Sequence, residues 1–230
     1  MKIALFSDIH ANLPAFEAFL ADLDNRKPDA VYCMGDMIGY NIWPNEIIAE
    51  IRRRGIATLV GNHDQKTKGY AYELVSDDNR AYLNTLPAHI KLEFQLNNDH
   101  LIIVLAHGST RSIEEYVLAD TDEAYVLGMM KDAKADILCV GHSHKPYHRV
   151  IAADNSFKHV INIGSVGKPK DGNPMGSYVL LHINGNSSMN DKGSIQVEFI
   201  RVAYDVDKAV KAIESSPLPN ELADKLLKAY

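Results

Sequence analysis

Short apolar runs alternate with stretches of helical periodicity through the first two-thirds of the chain, the pattern of an α/β fold. Ile3 to Phe6 reads as a strand, Leu13 to Leu23 as an amphipathic helix, and Ala30 to Met34 as a second strand. A helix from Pro44 to Arg53 follows, opened by proline, then a strand from Ile56 to Val60. Ser76 is placed to cap a helix running to Leu86, stopped by Pro87. Ile90 to Leu96 and Leu101 to Ala106 predict a hairpin closed by Asn97-Asn98-Asp99-His100. After a helical stretch from Thr121 to Lys131, strands dominate: Ile137 to Val140, Arg149 to Ala152, His159 to Ile163, Tyr178 to Ile183 and Ile195 to Val202. Asn184-Gly185-Asn186 marks a turn between the last two, and the tail from Asp205 is helical, broken at Pro217 and Pro219.

Composition narrows the class. At 230 residues, with 46% hydrophobic and 23% charged, the expectation is one globular domain, 1–230. The net charge of -6 and the mixing of both signs argue against a nucleic-acid partner. The densest basic run, Arg52-Arg53-Arg54 before Gly55, fits the last turn of a helix. Cys33 and Cys139 each lie inside apolar runs, so they read as buried free thiols of a reducing compartment. The apolar start is too short for a signal-peptide core and no run is long enough for a membrane span, which makes the expected location cytoplasmic, with no membrane partner.

Chemistry concentrates where predicted strands end. Asp8-Ile9-His10, Gly35-Asp36, Gly61-Asn62-His63-Asp64, His107-Gly108 and Gly141-His142-Ser143-His144 each follow an apolar run at once. In open α/β sheets ligands bind beyond the carboxyl ends of strands, so these segments can converge. Asp8 and His10 are two apart, as are His142 and His144, and in extended backbone such pairs point the same way. Imidazole with carboxylate suits Mn, Fe, Zn or Ni better than Ca or Mg. Taken singly each segment is ordinary: a strand-end Asp commonly caps the next helix, and an Asn-His-Asp triplet is commonly a surface loop. Five such coincidences in one chain favour a shared site. His89, His100, His148, His159 and His182 have no acidic residue at ligand spacing and read as structural or surface residues.

The ordered set Asp8-x-His10, Gly35-Asp36, Gly61-Asn62-His63-Asp64, His107 and Gly141-His142-x-His144 resembles the calcineurin-like metallophosphoesterase superfamily, from residue 1 to about residue 180. Asn162-Ile163-Gly164-Ser165-Val166-Gly167, followed by Asp171-Gly172-Asn173-Pro174, resembles its small bacterial and archaeal phosphodiesterase-like branch, although Ile163 stands where that branch commonly has Pro. Met175 stands where the branch often has a basic residue, and Tyr40-Asn41-Ile42-Trp43-Pro44 departs from its Gly- and Asp-containing loop. The resemblance implies a four-layer αββα sandwich of two mixed β-sheets flanked by helices. It implies two divalent metal ions, one on Asp8, His10, Asp36 and His144, the other on Asp36, Asn62, His107 and His142. It also implies that His63 touches the phosphoryl oxygens or the leaving group, that Asp64 orients His63, and that Asn12 assists at the phosphate.

No G-x-S-x-G elbow or Cys-His nucleophile signature is present, so metal-activated water is the simpler nucleophile. Tyr40 and Trp43 could stack on a nucleobase or aryl leaving group, although Trp43 also suits a staple at the next helix start. Lys168 and Lys170 could meet phosphate, or simply be solvated. The expected function is hydrolysis of a small phosphate ester, a nucleotide among the candidates, by a phosphodiesterase. A dinucleoside-polyphosphate hydrolase or a phosphomonoesterase (protein phosphatase included) is the next reading, and a non-catalytic scaffold on the same fold, as resembles the retromer scaffold subunit, is the reading from another class. Homo-oligomerisation stays open.

Overall fold

The computed structural model describes residues 1–153 and 155–230. In chain order the elements are β1 (Lys2–Phe6), α1 (Leu13–Arg26), β2 (Ala30–Cys33), α2 (Pro44–Arg54), β3 (Ala57–Thr58), α3 (Tyr70–Glu73) and α4 (Asp77–Leu83). They continue with β4 (His89–Gln95), β5 (His100–Ala106), α5 (Glu123–Ala133), β6 (Ile137–Val140), β7 (Tyr147–Ala153) and β8 (Ser156–Asn162). The last are β9 (Gly176–His182), β10 (Gln196–Val202), α6 (Val206–Glu214) and α7 (Glu221–Lys228).

The strands form two five-stranded sheets, ordered β10-β9-β1-β2-β3 and β4-β5-β6-β8-β7. Both are mixed. In the first, β1, β2 and β3 run parallel while β9 and β10 run antiparallel to their neighbours. In the second, β5, β6 and β8 are parallel and β4 and β7 are antiparallel edges. The period-2 alternation of the strands sorts their side chains into layers. Ile3, Leu5, Val179 and Leu181 meet Leu101, Ile103, Leu105, Ile137, Cys139 and Ile161 between the sheets. Ala4 and Phe6 point the other way, onto Phe16, Phe19 and Leu23 of α1 and Ile47, Ile48 and Ile51 of α2. Val104, Leu138, Val140 and Val160 pack under Val126, Met129 and Met130 of α5. The result is the expected αββα sandwich.

Local chemistry accounts for the element ends. Ser76 caps α4, accepting from the Asn79 amide at 3.4 Å. Gly55 ends α2 at φ 64°, with Arg52, Arg53 and Arg54 in the last turn. Cys33 and Cys139 are buried and free. No helix among the described residues is long and apolar enough to cross a membrane.

Two expectations change. The strand expected over Ile56–Val60 pairs only at Ala57–Thr58, because the chain then leaves the sheet and Val60 N donates to Pro87 O at 2.9 Å. The helix expected to reach Leu86 ends at Leu83, three residues short of it, and the chain closes in turns. The turn expected at Asn184-Gly185-Asn186 is present, Ser187 N donating to Asn184 O at 3.0 Å, and it opens a long loop: Asn97 N donates to Gly185 O at 2.9 Å and Met189 N to the Asp99 carboxylate at 3.0 Å, fastening it to the β4–β5 turn.

Candidate metal centre

The ends of β1, β2, β5 and β6 place their following loops together, and the backbone changes hand as it leaves each sheet. Asp8, His10, Asp36, His142 and His144 all have positive φ, between 52° and 62°. Non-glycine residues rarely adopt this region, and such strain persists at sites the surroundings over-determine. Hydrogen bonding continues through the turn, with Asp8 N donating to Gly35 O at 3.0 Å and His10 N to Asp36 O at 3.0 Å. The Asp-x-His and His-x-His pairs therefore converge through left-handed turns. The extended backbone expected for them is absent, and the handedness of each ligand-type residue does the aiming.

Gly35 and Gly61 let two of these loops touch. A Cβ on Gly35 would lie 2.4 Å from Gly61 N, and one on Gly61 would lie 2.2 Å from Asp36 N. Only glycine permits this approach.

The side chains meet in two overlapping groups. In the first, His144 Nε2 lies 3.1 Å from Asp8 Oδ1 and 3.2 Å from His10 Nε2, and His10 Nε2 lies 3.6 Å from Asp36 Oδ2. In the second, His107 Nε2 lies 3.4 Å from Asp36 Oδ2 and 3.2 Å from Asn62 Oδ1. Ligand-type atoms of Asp8, His10 and His144, and of Asp36, His107 and His142, lie within 4.8 Å of one another. All but Asn62 are buried.

Ring orientation is fixed from behind. His10 Nδ1 meets Ile38 O at 3.1 Å, His107 Nδ1 meets Met34 O at 2.9 Å, and His144 Nδ1 meets Lys168 O at 2.5 Å. A carbonyl only accepts, so each Nδ1 carries a hydrogen, and in the neutral ring each Nε2 presents a lone pair. His142 is reversed: its Nε2 meets Glu114 O at 3.2 Å, leaving Nδ1 as the free ring nitrogen.

Asp8 Oδ1 and Asp36 Oδ2 are buried and have no hydrogen-bond donor. Buried unpartnered carboxylate oxygens are costly, and lone pairs facing them add repulsion. A cation is the partner that satisfies such a set, and mixed carboxylate–imidazole donors, with imidazoles anchored by carbonyls, fit a divalent transition metal. The same field acts on protons. Burial opposes ionisation of Asp8 and Asp36, yet neighbouring imidazoles, His144 for Asp8 and His107 for Asp36, hold both well below the usual carboxylate range. Burial alone would lower His107, but Asp36 raises it to about 10, while burial takes His10 down to about 4.

Two expected roles change. Asp64 does not touch the His63 ring. Its carboxylate accepts from Asp36 N at 2.8 Å, Met37 N at 2.9 Å and Gly61 N at 2.9 Å, so it holds the Asp36 loop to the Gly61 loop. His63 is oriented by Tyr72, whose hydroxyl lies 2.6 Å from Nδ1, with Lys66 Nζ 3.3 Å from Nε2. Arg80 steadies this arrangement, donating to Asp64 O and Tyr72 O at 3.0 Å each. Asn12, 1% exposed, caps α1: its Oδ1 accepts from Ala15 N at 3.2 Å, and its Nδ2 donates to Gly167 O at 2.8 Å and to the Tyr204 hydroxyl at 3.3 Å. With every side-chain donor and acceptor engaged, Asn12 braces the site from behind. Trp43 precedes α2 as its N-cap residue and makes no side-chain cap.

Tyr40 does border the centre, its ring centroid 4.7 Å from that of His10 and 4.6 Å from that of His63. Opposite stands Tyr116, 53% exposed and stacked on His142 at 4.1 Å. Neither Tyr72 nor Tyr116 lies next to a strand end, and nothing in the spacing singles them out. Their loops put them there.

A sandwich whose strand ends gather buried carboxylates and carbonyl-anchored imidazoles is the framework of a metal-dependent hydrolase. The chain belongs to the calcineurin-like phosphoesterase superfamily, whose domain model matches residues 1–186. An uncharacterised protein of Methanocaldococcus jannaschii is 31% identical over 252 residues, spanning 97% of this chain and 96% of that one. A metallophosphoesterase from Sphaerobacter thermophilus superposes with TM-score 0.78 at 24% identity, over 100% of both chains. A hypothetical protein of Pyrococcus horikoshii OT3 also gives 0.78, at 20% identity, over 98% of this chain and 97% of that one. At these identities the two structures speak for the fold alone.

Proposed function

We propose that the chain hydrolyses a phosphodiester with two divalent transition-metal ions, drawn from Mn, Fe, Zn and Ni. Asp8, His10, Asp36 and His144 would hold one, and Asp36, Asn62, His107 and His142 the other. The observation that carries this reading is the pair of buried, donorless oxygens, Asp8 Oδ1 and Asp36 Oδ2, facing imidazole nitrogens at 3.1–3.6 Å. When bound, two such cations supply charge neutralisation at the phosphoryl group and an activated water.

The chain's own residues do the rest. Asp64 fixes the loop that carries Asp36. His63, held by Tyr72 and backed by Lys66, is the histidine at the margin of the centre with neither ring nitrogen fixed to a backbone carbonyl. It is placed to hydrogen-bond a phosphoryl or leaving-group oxygen. Tyr40 and Tyr116 border the centre as flat apolar faces, suited to an aryl or nucleoside group. A small phosphate ester is therefore the substrate.

Metal content after purification without chelator, and turnover of bis-p-nitrophenyl phosphate with and without Mn²⁺, test the reading. Bound metal with Mn²⁺-dependent turnover is expected. Tight metal binding without turnover of any phosphate ester would favour a scaffold on this fold.

A further inference from the structure

The motif from Asn162 to Gly167 supplies no candidate ligand, yet its loop is fastened tightly to the end of β1. Val166 N donates to Ser7 O at 3.0 Å, Gly167 N to Asp8 O at 3.0 Å, and the Ser165 hydroxyl to Asp8 O at 2.7 Å. A Cβ on Gly167 would stand 1.7 Å from Ile9 O, so the backbones are in direct contact. Lys168 N donates to the Ser165 hydroxyl at 2.8 Å, which fixes the next residue as well.

That fastening brings two lysines to the rim of the centre. Lys168 is 4% exposed, and its ammonium lies 4.8 Å from the Tyr40 ring centroid, on a ring that also borders His10 and His63. Lys168 shares a narrow crevice with His10, Tyr40 and Asn41, closed by Ile213, Leu222 and Leu226 from the C-terminal helices. Lys170 is half-buried beside it. Among the described residues no carboxylate oxygen lies within 4.0 Å of either ammonium, whereas Lys158, also half-buried, pairs with Asp136 at 2.6 Å. A lysine so largely withdrawn from water, with no carboxylate at its ammonium, favours an anion beside it.

We propose that Lys168 and Lys170 form a second anion subsite beside the metal centre, which binds a phosphate group of the substrate other than the one cleaved. This rests on the metal-dependent reading above and narrows its substrate class to esters with a polyphosphate chain or an additional phosphate. Charge balance points the same way. Two divalent cations against Asp8 and Asp36 leave about two positive charges, and the lysines raise this to about four. A simple diester brings about one negative charge, and a nucleoside triphosphate or dinucleoside tetraphosphate brings about four.

Inorganic tripolyphosphate titrated calorimetrically into chelator-treated, dialysed protein tests the subsite without metal. Lys168→Met and Lys170→Met are each expected to weaken binding by about tenfold, the size of one charge-assisted hydrogen bond. Lys168→Met should also keep or raise Tm, because it removes a buried charge. In Mn²⁺-loaded protein, both variants should lower kcat/KM for diadenosine tetraphosphate about tenfold more than for bis-p-nitrophenyl phosphate. No tripolyphosphate binding by the unaltered chain, or equal binding by both variants, overturns the subsite. A fall in Tm with unchanged affinity makes Lys168 structural and does the same, and Lys170→Met, at the less buried position, decides the matter if Lys168→Met does not fold. If the unaltered protein binds tripolyphosphate but hydrolyses neither ester, the metal reading falls and the subsite stands. If it hydrolyses the diester while the variants bind and discriminate like the parent, the subsite falls alone.

Discussion

Two groups of histidines sit in this chain, and they differ in what surrounds them. At the strand ends, His10, His107 and His144 each turn one nitrogen to a backbone carbonyl and the other to carboxylate oxygens. Between β7 and β8, His148 Nε2 meets His159 Nδ1 at 2.9 Å with the rings stacked, and among the described residues no carboxylate pairs with either. Burial, then His148, lowers His159 to about 4, whereas Asp36 carries His107 to about 10 against burial. Burial alone therefore does not make a histidine a ligand. Carboxylates in front and carbonyls behind are what mark the candidates.

The largest effect expected from breaking this contrast is at Asp36, which faces both groups of ligand-type atoms. Asp36→Asn should reduce metal content below one ion per chain and hydrolysis by at least about 10³-fold, as read by elemental analysis and bis-p-nitrophenyl phosphate turnover. Two retained ions with near-parental kcat would remove its bridging role. Next comes His63→Ala, expected to lower kcat by about 10²–10⁴-fold with metal content unchanged. Because ligand-type atoms of His10, Asp36 and His63 also lie within 4.8 Å of one another, loss of metal in this variant would make His63 a ligand.

The strand-end pattern made the metal-ligand candidates legible from sequence, since apolar run and ligand-type residue recur at Asp8, Asp36, Asn62, His107 and His142, with a glycine beside all but Asp8. The layers were legible too, because period-2 strands and 3.6-period helices each declare one buried face. What the sequence did not reveal is contact between loops. Asp64 sits next to His63 and was expected to orient it, but its carboxylate turns to the amides of Asp36, Met37 and Gly61. Asn12 follows the first ligand pair, yet a helix start and Gly167 O claim its amide. Adjacency along the chain is a poor guide where the backbone reverses hand at five candidate-ligand positions.

The second histidine group offers a smaller test, in stability. His159 has a folded value of about 4 against about 6.5 unfolded, so between these values the unfolded chain binds more protons. Its contribution is complete above about pH 6.5 and is lost as pH falls towards 4. Urea unfolding at pH 7 and pH 5 should show the parent losing about 2 kcal/mol more than His159→Leu over that interval. Equal losses in the two proteins would mean that His159 stays as easily protonated in the fold as in the open chain.

The smallest effect concerns His63, which belongs to neither pattern. Its Nδ1 meets the Tyr72 hydroxyl at 2.6 Å, where the candidate ligands His10, His107 and His144 meet main-chain carbonyls. A hydroxyl on a short helix, itself held through Arg80, is a softer anchor than a main-chain carbonyl, and it leaves the imidazole free to adjust as an oxygen approaches. Tyr72→Phe removes this one partner and keeps the ring. It should lower kcat by about 3–10-fold, in line with one neutral hydrogen bond, and leave KM, metal content and Tm nearly unchanged. Unchanged kcat would show that the tyrosine does not position His63, and a KM effect alone would put Tyr72 in substrate binding instead.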